Sequence, residues 1–207
     1  MKVYFVRHAE SEENKADIHQ RSDIKLSKEG INQANIVAAR LKELDIDFIY
    51  SSDYTRAKQT SEIIASGLDK PIEYWSNLRE VRNPSEIMGL KHQNQLSLKI
   101  RGKIRKNFHK GNWKYSDEES FNDVKKRGDQ VLNHLLKKHK GQNVICISHG
   151  TILTFFLALM IFEDKLTPEL YLKFRYHFWT ENTGITICEY TDEYGWGILT
   201  FNDVAHL

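Results

Sequence analysis

The stretch "VYFVRHAESEEN", residues 3–14, joins an apolar, strand-like run directly to an arginine, a histidine and a small residue. The apolar positions 3–6 are typical of a buried β-strand, and Arg7 and His8 stand where that strand would end. Polar side chains at such a place need hydrogen-bond partners or a ligand. This junction therefore predicts a polar site if other segments of the chain meet it.

Outside this stretch, strand-like and helix-like segments alternate along the chain. The remaining strands are predicted at "DFIYSSD" (47–53), "PIEYW" (71–75), "NVICISH" (143–149), and in a C-terminal hairpin formed by "GITICEY" (184–190) and "GWGILTF" (195–201). Helices are predicted after a Ser27 cap, over 55–68 with Gly67 helping to end it, over 118–139, and from about Thr151. In the first of these helices the apolar spacing indicates one buried face, formed by Ile31, Ala34, Ala38, Leu41 and Leu44.

This alternation predicts an α/β fold, a three-layer α/β/α sandwich with a mostly parallel mixed sheet. We expect a single domain over residues 1–207. Residues 86–120 do not follow this alternation of strands and helices. We expect them to form an excursion, or cap, over one end of the sheet. Between positions 87 and 115 this segment carries eight Lys or Arg residues and no Asp or Glu. It is either a solvated basic face or a cap whose charge attracts an anionic substrate.

Composition and length exclude several classes of protein. The net charge of +2 gives no support for nucleic-acid binding. The longest apolar run, residues 151–162, is shorter than the roughly 20 residues that span a bilayer, so we expect no membrane contact. The N-terminus lacks a secretory pattern, and Cys146 and Cys188 lie in apolar strands, so we expect free thiols and a cytoplasmic location.

Three predicted strand ends carry unusual polar residues. Arg7 and His8 follow the first strand, Arg56 lies about one turn into the helix after the second, and His149 follows the buried strand at 143–149. In open α/β sheets, ligands bind outside the carboxyl ends of the strands. If these strands are parallel neighbours, two arginines and two histidines converge at one edge, where they require an anionic ligand.

Phosphoryl transfer is the chemistry that suits this set. The guanidinium groups of Arg7 and Arg56, together with His149, would hold phosphate oxygens. The neutral imidazole of His8 could attack phosphorus and form a covalent phosphohistidine. An alkoxide leaving group needs a proton, and Glu80, just after the third strand, is placed to donate one.

Four segments resemble, in order and spacing, the signatures of the histidine phosphatase superfamily, which is also called phosphoglycerate-mutase-like. They are "VRHAESEEN", "SSDYTRAKQT", "LRE" and "ISHGT". The segments "LSKEGINQA", "EESFNDVKKR" and "FNDVAHL" are also similar to the family pattern, so that the resemblance covers nearly the whole chain.

The resemblance implies a role for eight residues. They are His8 as nucleophile, Glu80 as proton donor, Arg7, Arg56 and His149 as the phosphate pocket, and Asn14, Arg21 and Thr151 as substrate-binding residues. It also implies that the enzyme needs no metal and no cofactor. We expect a small phosphorylated anion as substrate, and a monomer or homodimer as the assembly.

Three positions depart from the family pattern. Ala9 stands where glycine is usual and needs ordinary backbone angles, Gln20 stands where many members have glycine, and "VRNPSEIMGLKH" replaces a Gly-x-x-Glu-Gly pattern. The favoured function is a phosphomonoesterase. A cofactor-dependent phosphoglycerate mutase and a non-catalytic phospholigand-binding module remain as alternatives.

Overall fold

A computed structural model describes residues 1–207. The six strands are β1 (Lys2–Arg7), β2 (Phe48–Ser51), β3 (Ile72–Tyr74), β4 (Asn143–Ser148), β5 (Ile185–Thr191) and β6 (Gly195–Asp203). The seven α-helices are α1 (Glu12–Lys15), α2 (Lys28–Leu41), α3 (Thr55–Leu68), α4 (Gln95–Asn107), α5 (Phe121–Lys138), α6 (Gly150–Phe162) and α7 (Pro168–Arg175).

The strands form one mixed sheet in the order β3-β2-β4-β1-β5-β6. β3, β2, β4 and β1 are parallel, whereas β5 is antiparallel to β1 and pairs with β6 as a hairpin. The predicted hairpin is therefore confirmed. It also has a consequence for the site, because the first residue of an antiparallel β5 lies at the same sheet edge as the last residues of β1.

Helices cover both faces of the sheet, as the predicted three-layer sandwich requires. Alternate residues of β1 point to opposite faces: Val3 and Phe5 join a core with α5, α6 and α7, while Tyr4 and Val6 join a core with α2 and α3. Because both faces are buried, the central strands are apolar at nearly every position. None of the helices has the length and apolar character needed to cross a bilayer.

Two details of α2 explain how it sits on the sheet. The Ser27 side chain caps the helix by accepting the N–H of Gly30. A β-carbon at position 30 would lie 1.9 Å from the carbonyl oxygen of Glu10, so only glycine permits this approach. The prediction that Ile31 is buried was wrong: its side chain is 47% exposed in the first turn of α2, although Ala34 and Ala38 on the same face are buried.

Two further boundaries differ from those predicted. Gly67 lies inside α3, and the helix ends where Asp69 adopts a left-handed conformation with φ of 50°. The late helix begins at Phe121 and not at Glu118, because Ser120 forms a capping box with Asp123.

The basic segment 86–120 contains α4, flanked by the short 3₁₀ turns Ser85–Ile87 and Phe108–Lys110. Its first part contacts the loop after α1, where the His19 ring bonds Ser97 at 2.6 Å. Its last part packs Phe108 against Phe121 and Tyr171. The segment is thus attached at both ends, to the α1 loop and to α5 and α7.

Candidate active site

The carboxyl ends of three parallel strands meet at one edge of the sheet. Arg7, the last residue of β1, pairs in register with Ser148, the last residue of β4. Ser51, the last residue of β2, pairs with Ile147. His8, His149 and Ser52 follow these strands directly, so the fold brings them side by side, and the rings of His8 and His149 are 4.9 Å apart between centroids.

The hydrogen bonds of His8 define its tautomer. Its Nδ1 lies 2.7 Å from the carbonyl oxygen of Ala9, which can only accept, so Nδ1 carries the proton. Its Nε2 accepts a 3.1 Å bond from the Nε–H of Arg56 and therefore has a lone pair. Burial, and then the charges of Arg56 and Arg7, hold the pKa of His8 well below 6.5. His8 is consequently a neutral imidazole whose unprotonated nitrogen is Nε2.

His149 is oriented by Ser52. The Ser52 hydroxyl accepts the backbone N–H of Tyr54 at 3.3 Å and lies 2.8 Å from the Nε2 of His149. The Ser52 hydroxyl can donate to this Nε2 or accept from it, and in either case the contact fixes the plane of the His149 ring. Nδ1 is buried and has no partner in the protein. Burial, then the charge of Arg56, lowers the pKa of His149 well below 6.5.

Arg56 is buried in the first turn of α3. Besides its bond to His8, its Nη1 donates to the backbone oxygen of Arg21 at 2.8 Å, and its guanidinium lies over the Tyr54 ring. Burial lowers the pKa of Arg56 to about 10, partly offset by the charge of Glu80. Arg56 therefore stays cationic at neutral pH.

Arg7 lies beside the start of α6. Its Nη1 donates to the backbone oxygen of Thr180, and its Nε is buried without a partner. Burial lowers the pKa of Arg7 from its ordinary value, against the opposing charge of Glu80. A β-carbon at Gly150 would lie 3.5 Å from this Nε and 3.3 Å from the Thr180 hydroxyl, so the absence of a side chain keeps this space open.

Three buried polar side-chain atoms have no hydrogen-bond partner: Arg7 Nε, His149 Nδ1 and Thr180 Oγ1. Buried polar groups are nearly always paired. Arg7 Nε and Thr180 Oγ1 can each donate a hydrogen bond, His149 Nδ1 can do so when it carries the ring proton, and all three belong to residues around the His8 ring or Gly150. An oxyanion with several acceptor oxygens would satisfy them together.

Glu80 is half-buried and lies at the N-terminus of α6. Its two carboxylate oxygens accept the backbone N–H groups of Thr151 and Ile152, each at 3.0 Å. The N–H of Val81 also donates to Glu80, at 2.8 Å. Helix N-termini favour negative charge. Oε2 accepts only one of these bonds, so it has a lone pair available for a proton.

The three predicted substrate-binding residues differ in their placement. Asn14 lies near His8, because its Oδ1 is 3.5 Å from the Nδ2 of Asn182, which in turn donates to the His8 backbone oxygen at 2.8 Å. Arg21 forms an ion pair with Glu13 at 2.9 Å and is 58% exposed, at the outer side of Arg56. For Thr151 the site contact is its backbone N–H to Glu80.

Sequence reasoning missed Ser52, Thr180 and Asn182. Ser52 lies in the motif "SSDYTRAKQT", directly after a predicted strand. Its place at the end of that strand could have identified it as a site residue. Thr180 and Asn182 lie in the loop before β5 and had no signal in the sequence. Ala9, by contrast, has ordinary backbone angles, as expected, since it is absent from the residues with positive φ.

Comparison with known proteins agrees with this geometry. The chain is 31% identical, over all of its length and 95% of the other protein, to the Cronobacter sakazakii protein named "Probable phosphoglycerate mutase GpmB". It is 28% identical to phosphoserine phosphatase from Entamoeba histolytica, solved in complex with 3-phosphoglyceric acid, with a TM-score of 0.80 and coverage of 100% and 98% of the two chains.

The fold alone is similar to that of YhfR from Bacillus stearothermophilus, with a TM-score of 0.83 at 24% identity and coverage of 99% and 98%. Residues 3–204 match the family described as the histidine phosphatase superfamily (branch 1). This match covers nearly the whole chain, and the fold brings Arg7, His8, Arg56 and His149 together. The chain therefore belongs to the histidine phosphatase superfamily.

Proposed function

We propose that this protein hydrolyses phosphate monoesters through a covalent phosphohistidine on His8. The observation that carries the proposal is the neutral His8 ring, whose Nε2 lone pair faces Arg56 and whose neighbours present unpaired donors. A phosphoryl group in that position would be attacked by Nε2 while its oxygens are held by Arg7, Arg56 and His149.

In the first step, a bond forms between His8 Nε2 and phosphorus as the bond to the ester oxygen breaks. The protonated Glu80 carboxyl gives its proton to the departing oxygen, which leaves as an alcohol. The guanidinium groups of Arg7 and Arg56 stabilise the charge spread over the three equatorial oxygens. The products of this step are the free alcohol, phosphorylated His8 and the Glu80 carboxylate.

In the second step, water attacks phosphorus and the nitrogen–phosphorus bond breaks. The Glu80 carboxylate takes a proton from the water and returns to its acid form. Inorganic phosphate is released, and His8 regains its neutral ring with a free Nε2. The two arginines supply the positive charge that metal ions supply in other phosphoryl-transfer enzymes, so we propose that no metal is needed.

A cofactor-dependent phosphoglycerate mutase is the second candidate, and the 31% identity to a protein with that name favours it. Its first step would be the same, but the phosphoryl group would return to a bound acceptor instead of passing to water. A non-catalytic phospholigand-binding module is the third candidate, and any turnover that depends on His8 rejects it.

We further propose a small phosphorylated anion as the substrate and a monomer or homodimer as the assembly. A cytoplasmic location is supported by Cys146 and Cys188, which are both buried as free thiols.

The decisive experiment measures hydrolysis of 4-nitrophenyl phosphate with and without a chelator, for the wild type, His8→Ala and His177→Ala. His177 is exposed and serves as the matched control. We expect turnover that resists the chelator, disappears in His8→Ala and persists in His177→Ala. Undiminished turnover in His8→Ala would reject the proposed nucleophile.

If the wild type does not hydrolyse this ester, conversion of 2- to 3-phosphoglycerate in the presence of bisphosphoglycerate tests the mutase. For the proton donor, we expect Glu80→Gln to slow an alkyl phosphate much more than 4-nitrophenyl phosphate, because only the alkoxide needs a proton to leave. Equal losses on both esters would count against Glu80 as the acid.

A further inference from the structure

Glu80 lies on a segment that is not itself part of a helix or strand. It follows the 3₁₀ turn Ser76–Leu78, and no regular element begins again before Ser85. The backbone groups of such a segment need partners from elsewhere if a side chain on it is to keep one position. The partners that the structure provides come mainly from α5 and the residue before its cap.

Arg127, on α5, holds the carbonyl groups before Glu80. Its Nη1 donates to the backbone oxygens of Asn77 and Arg79, each at 2.8 Å. The carbonyl oxygen of Leu78, between these two, accepts the hydroxyl of Ser148 at 2.7 Å. Three consecutive carbonyl groups leading up to Glu80 are therefore fixed by side chains from α5 and β4.

Glu119 holds the backbone after Glu80. Its Oε2 accepts the N–H of Arg82 at 2.9 Å, and its own N–H donates to the Arg82 oxygen at 3.1 Å. Its two oxygens also accept Nε and Nη2 of Arg127, at 2.8 and 2.7 Å. Arg127 is 13% exposed and Glu119 is 16% exposed, and they form one bidentate ion pair. Together they hydrogen-bond the backbone on both sides of Glu80.

The bonds of Arg127 also argue against a direct role in binding phosphate. Its Nε and both of its Nη atoms are engaged within the protein, and its charge is matched by Glu119. Lysine in its place could not reproduce this fork, because an ammonium group is a single point of donation. The planar guanidinium group of Arg127 is therefore needed to bond Glu119 and the two backbone oxygens at the same time.

We infer that Arg127 and Glu119 are positioning residues that hold Glu80 where it can exchange a proton with the leaving oxygen. The inference rests on the proposed function, since it assigns the pair to the proton-transfer step and not to binding. Loss of the pair should therefore reproduce, in weaker form, the selective defect of Glu80→Gln.

The test compares hydrolysis of 4-nitrophenyl phosphate and of an alkyl ester, β-glycerophosphate, by the wild type, Arg127→Lys, Glu119→Gln and Glu80→Gln. For both positioning variants we expect kcat on the alkyl ester to fall by about tenfold or more, with a change of less than about threefold on the aryl ester. In the double variant Arg127→Lys/Glu80→Gln, the added loss on the alkyl ester should be less than about twofold, because the group being positioned is already absent.

Arg40→Lys is the matched control, because Arg40 pairs with Asp203 on β6, away from Glu80. It should change neither ester, and thermal unfolding verifies that each variant folds. Should Arg127→Lys fail to fold, Glu119→Gln carries the comparison. Equal losses on both esters, no loss, or full additivity with Glu80→Gln would overturn the positioning role while leaving the proposed function intact. A wild type inert on both esters would reject the phosphatase function and this inference with it.

Discussion

Arg56 donates its Nε–H to the Nε2 of His8 at 3.1 Å, so a guanidinium group already faces the lone pair that would attack phosphorus. The same side chain donates to the Arg21 backbone oxygen at 2.8 Å, which fixes its plane. Under the proposed mechanism, the positive charge that would stabilise a phosphoryl group is already beside His8 before a substrate binds, and the phosphoryl group would replace the Arg56 bond at Nε2. The Arg21 carbonyl bond would keep the guanidinium group in place during that exchange, so that its charge stays preorganised.

We predict that Arg56→Lys lowers kcat/KM for 4-nitrophenyl phosphate by about 10²–10³, the loss typical when one preorganised donor is removed. Lysine keeps the charge but cannot bond His8 and the Arg21 carbonyl group in one plane. Steady-state kinetics measure the effect, and Arg40→Lys should leave kcat/KM unchanged. Wild-type activity in Arg56→Lys would show that charge alone suffices at this position.

The low pKa of His8 predicts that the ring stays neutral in weakly acidic solution. Burial and the charges of Arg56 and Arg7 all disfavour its imidazolium form, so protonation should begin only well below pH 6.5. NMR titration of the ring carbon-bound protons measures this directly, with His8→Gln identifying the resonance. A midpoint at or above 6.5 would contradict the buried, cation-flanked environment.

We predict that the substitution Gly150→Ala lowers activity without lowering the stability of the fold. A β-carbon there would occupy the space beside Arg7 Nε and Thr180 Oγ1 without requiring unusual backbone angles. Gly150→Ala should therefore lower kcat/KM by roughly tenfold through crowding of the bound phosphate. Its melting temperature should stay close to that of the wild type, because alanine needs no unusual backbone angle there and the Thr180 hydroxyl at 3.3 Å has to shift only slightly.

The control for Gly150 is Gly102→Ala in α4, where a β-carbon would meet nothing within 4 Å. It should raise stability without changing kcat/KM. Inhibition by inorganic phosphate provides a second readout, since Gly150→Ala should weaken it to the same extent as ester binding. Unchanged inhibition would show that the phosphate does not lie against Gly150.

We predict that the environment of His19 lowers the free energy of unfolding in acidic solution. It is buried, and burial, followed by the charges of His92 and Arg101, lowers its pKa to about 4 from 6.5. Between these values the unfolded chain binds a proton that the folded chain does not. The stabilising contribution is therefore fully present above about 6.5 and is lost as the pH falls toward about 4.

Urea unfolding at a series of pH values between about 7 and about 4 measures this effect. His19→Gln should flatten the dependence of the unfolding free energy on pH, whereas His177→Gln, at an exposed position, should not. His8 and His149 contribute with the same sign, so part of the slope should remain. An unaltered slope in His19→Gln would mean that this histidine is protonated alike in both states.

Elements with a strong local signal were predicted closely. The bounds of α3 agree with the predicted helix 55–68, and the hairpin formed by β5 and β6 was predicted from two strand-like runs separated by turn-forming residues. Errors arose where packing overrode the pattern. Ile31 fits the helical period but is exposed, because it lies in the first turn of α2, where the face that Ala34 and Ala38 share is no longer covered.

The site was predictable in part for one topological reason. Parallel strands end at a common edge, so the residues that follow β1, β2 and β4 had to be neighbours once the sheet was parallel. Thr180 and Asn182 reach the same edge at the start of an antiparallel strand, where Ile185 pairs with Val6. No local pattern reports that pairing, because it depends on register between segments almost the whole chain apart.

By itself, the sequence predicted the six strands, four of the seven helices, a mostly parallel sheet and the types of side chain at the strand ends, because periodicity and residue chemistry are local properties. Only the tertiary structure decided that Arg56 faces Nε2 of His8, that Ser52 orients His149, and that Glu80 meets the first N–H groups of α6. Each of these depends on distances of about 3 Å between residues far apart in the chain, and such distances are set by packing rather than by any one segment.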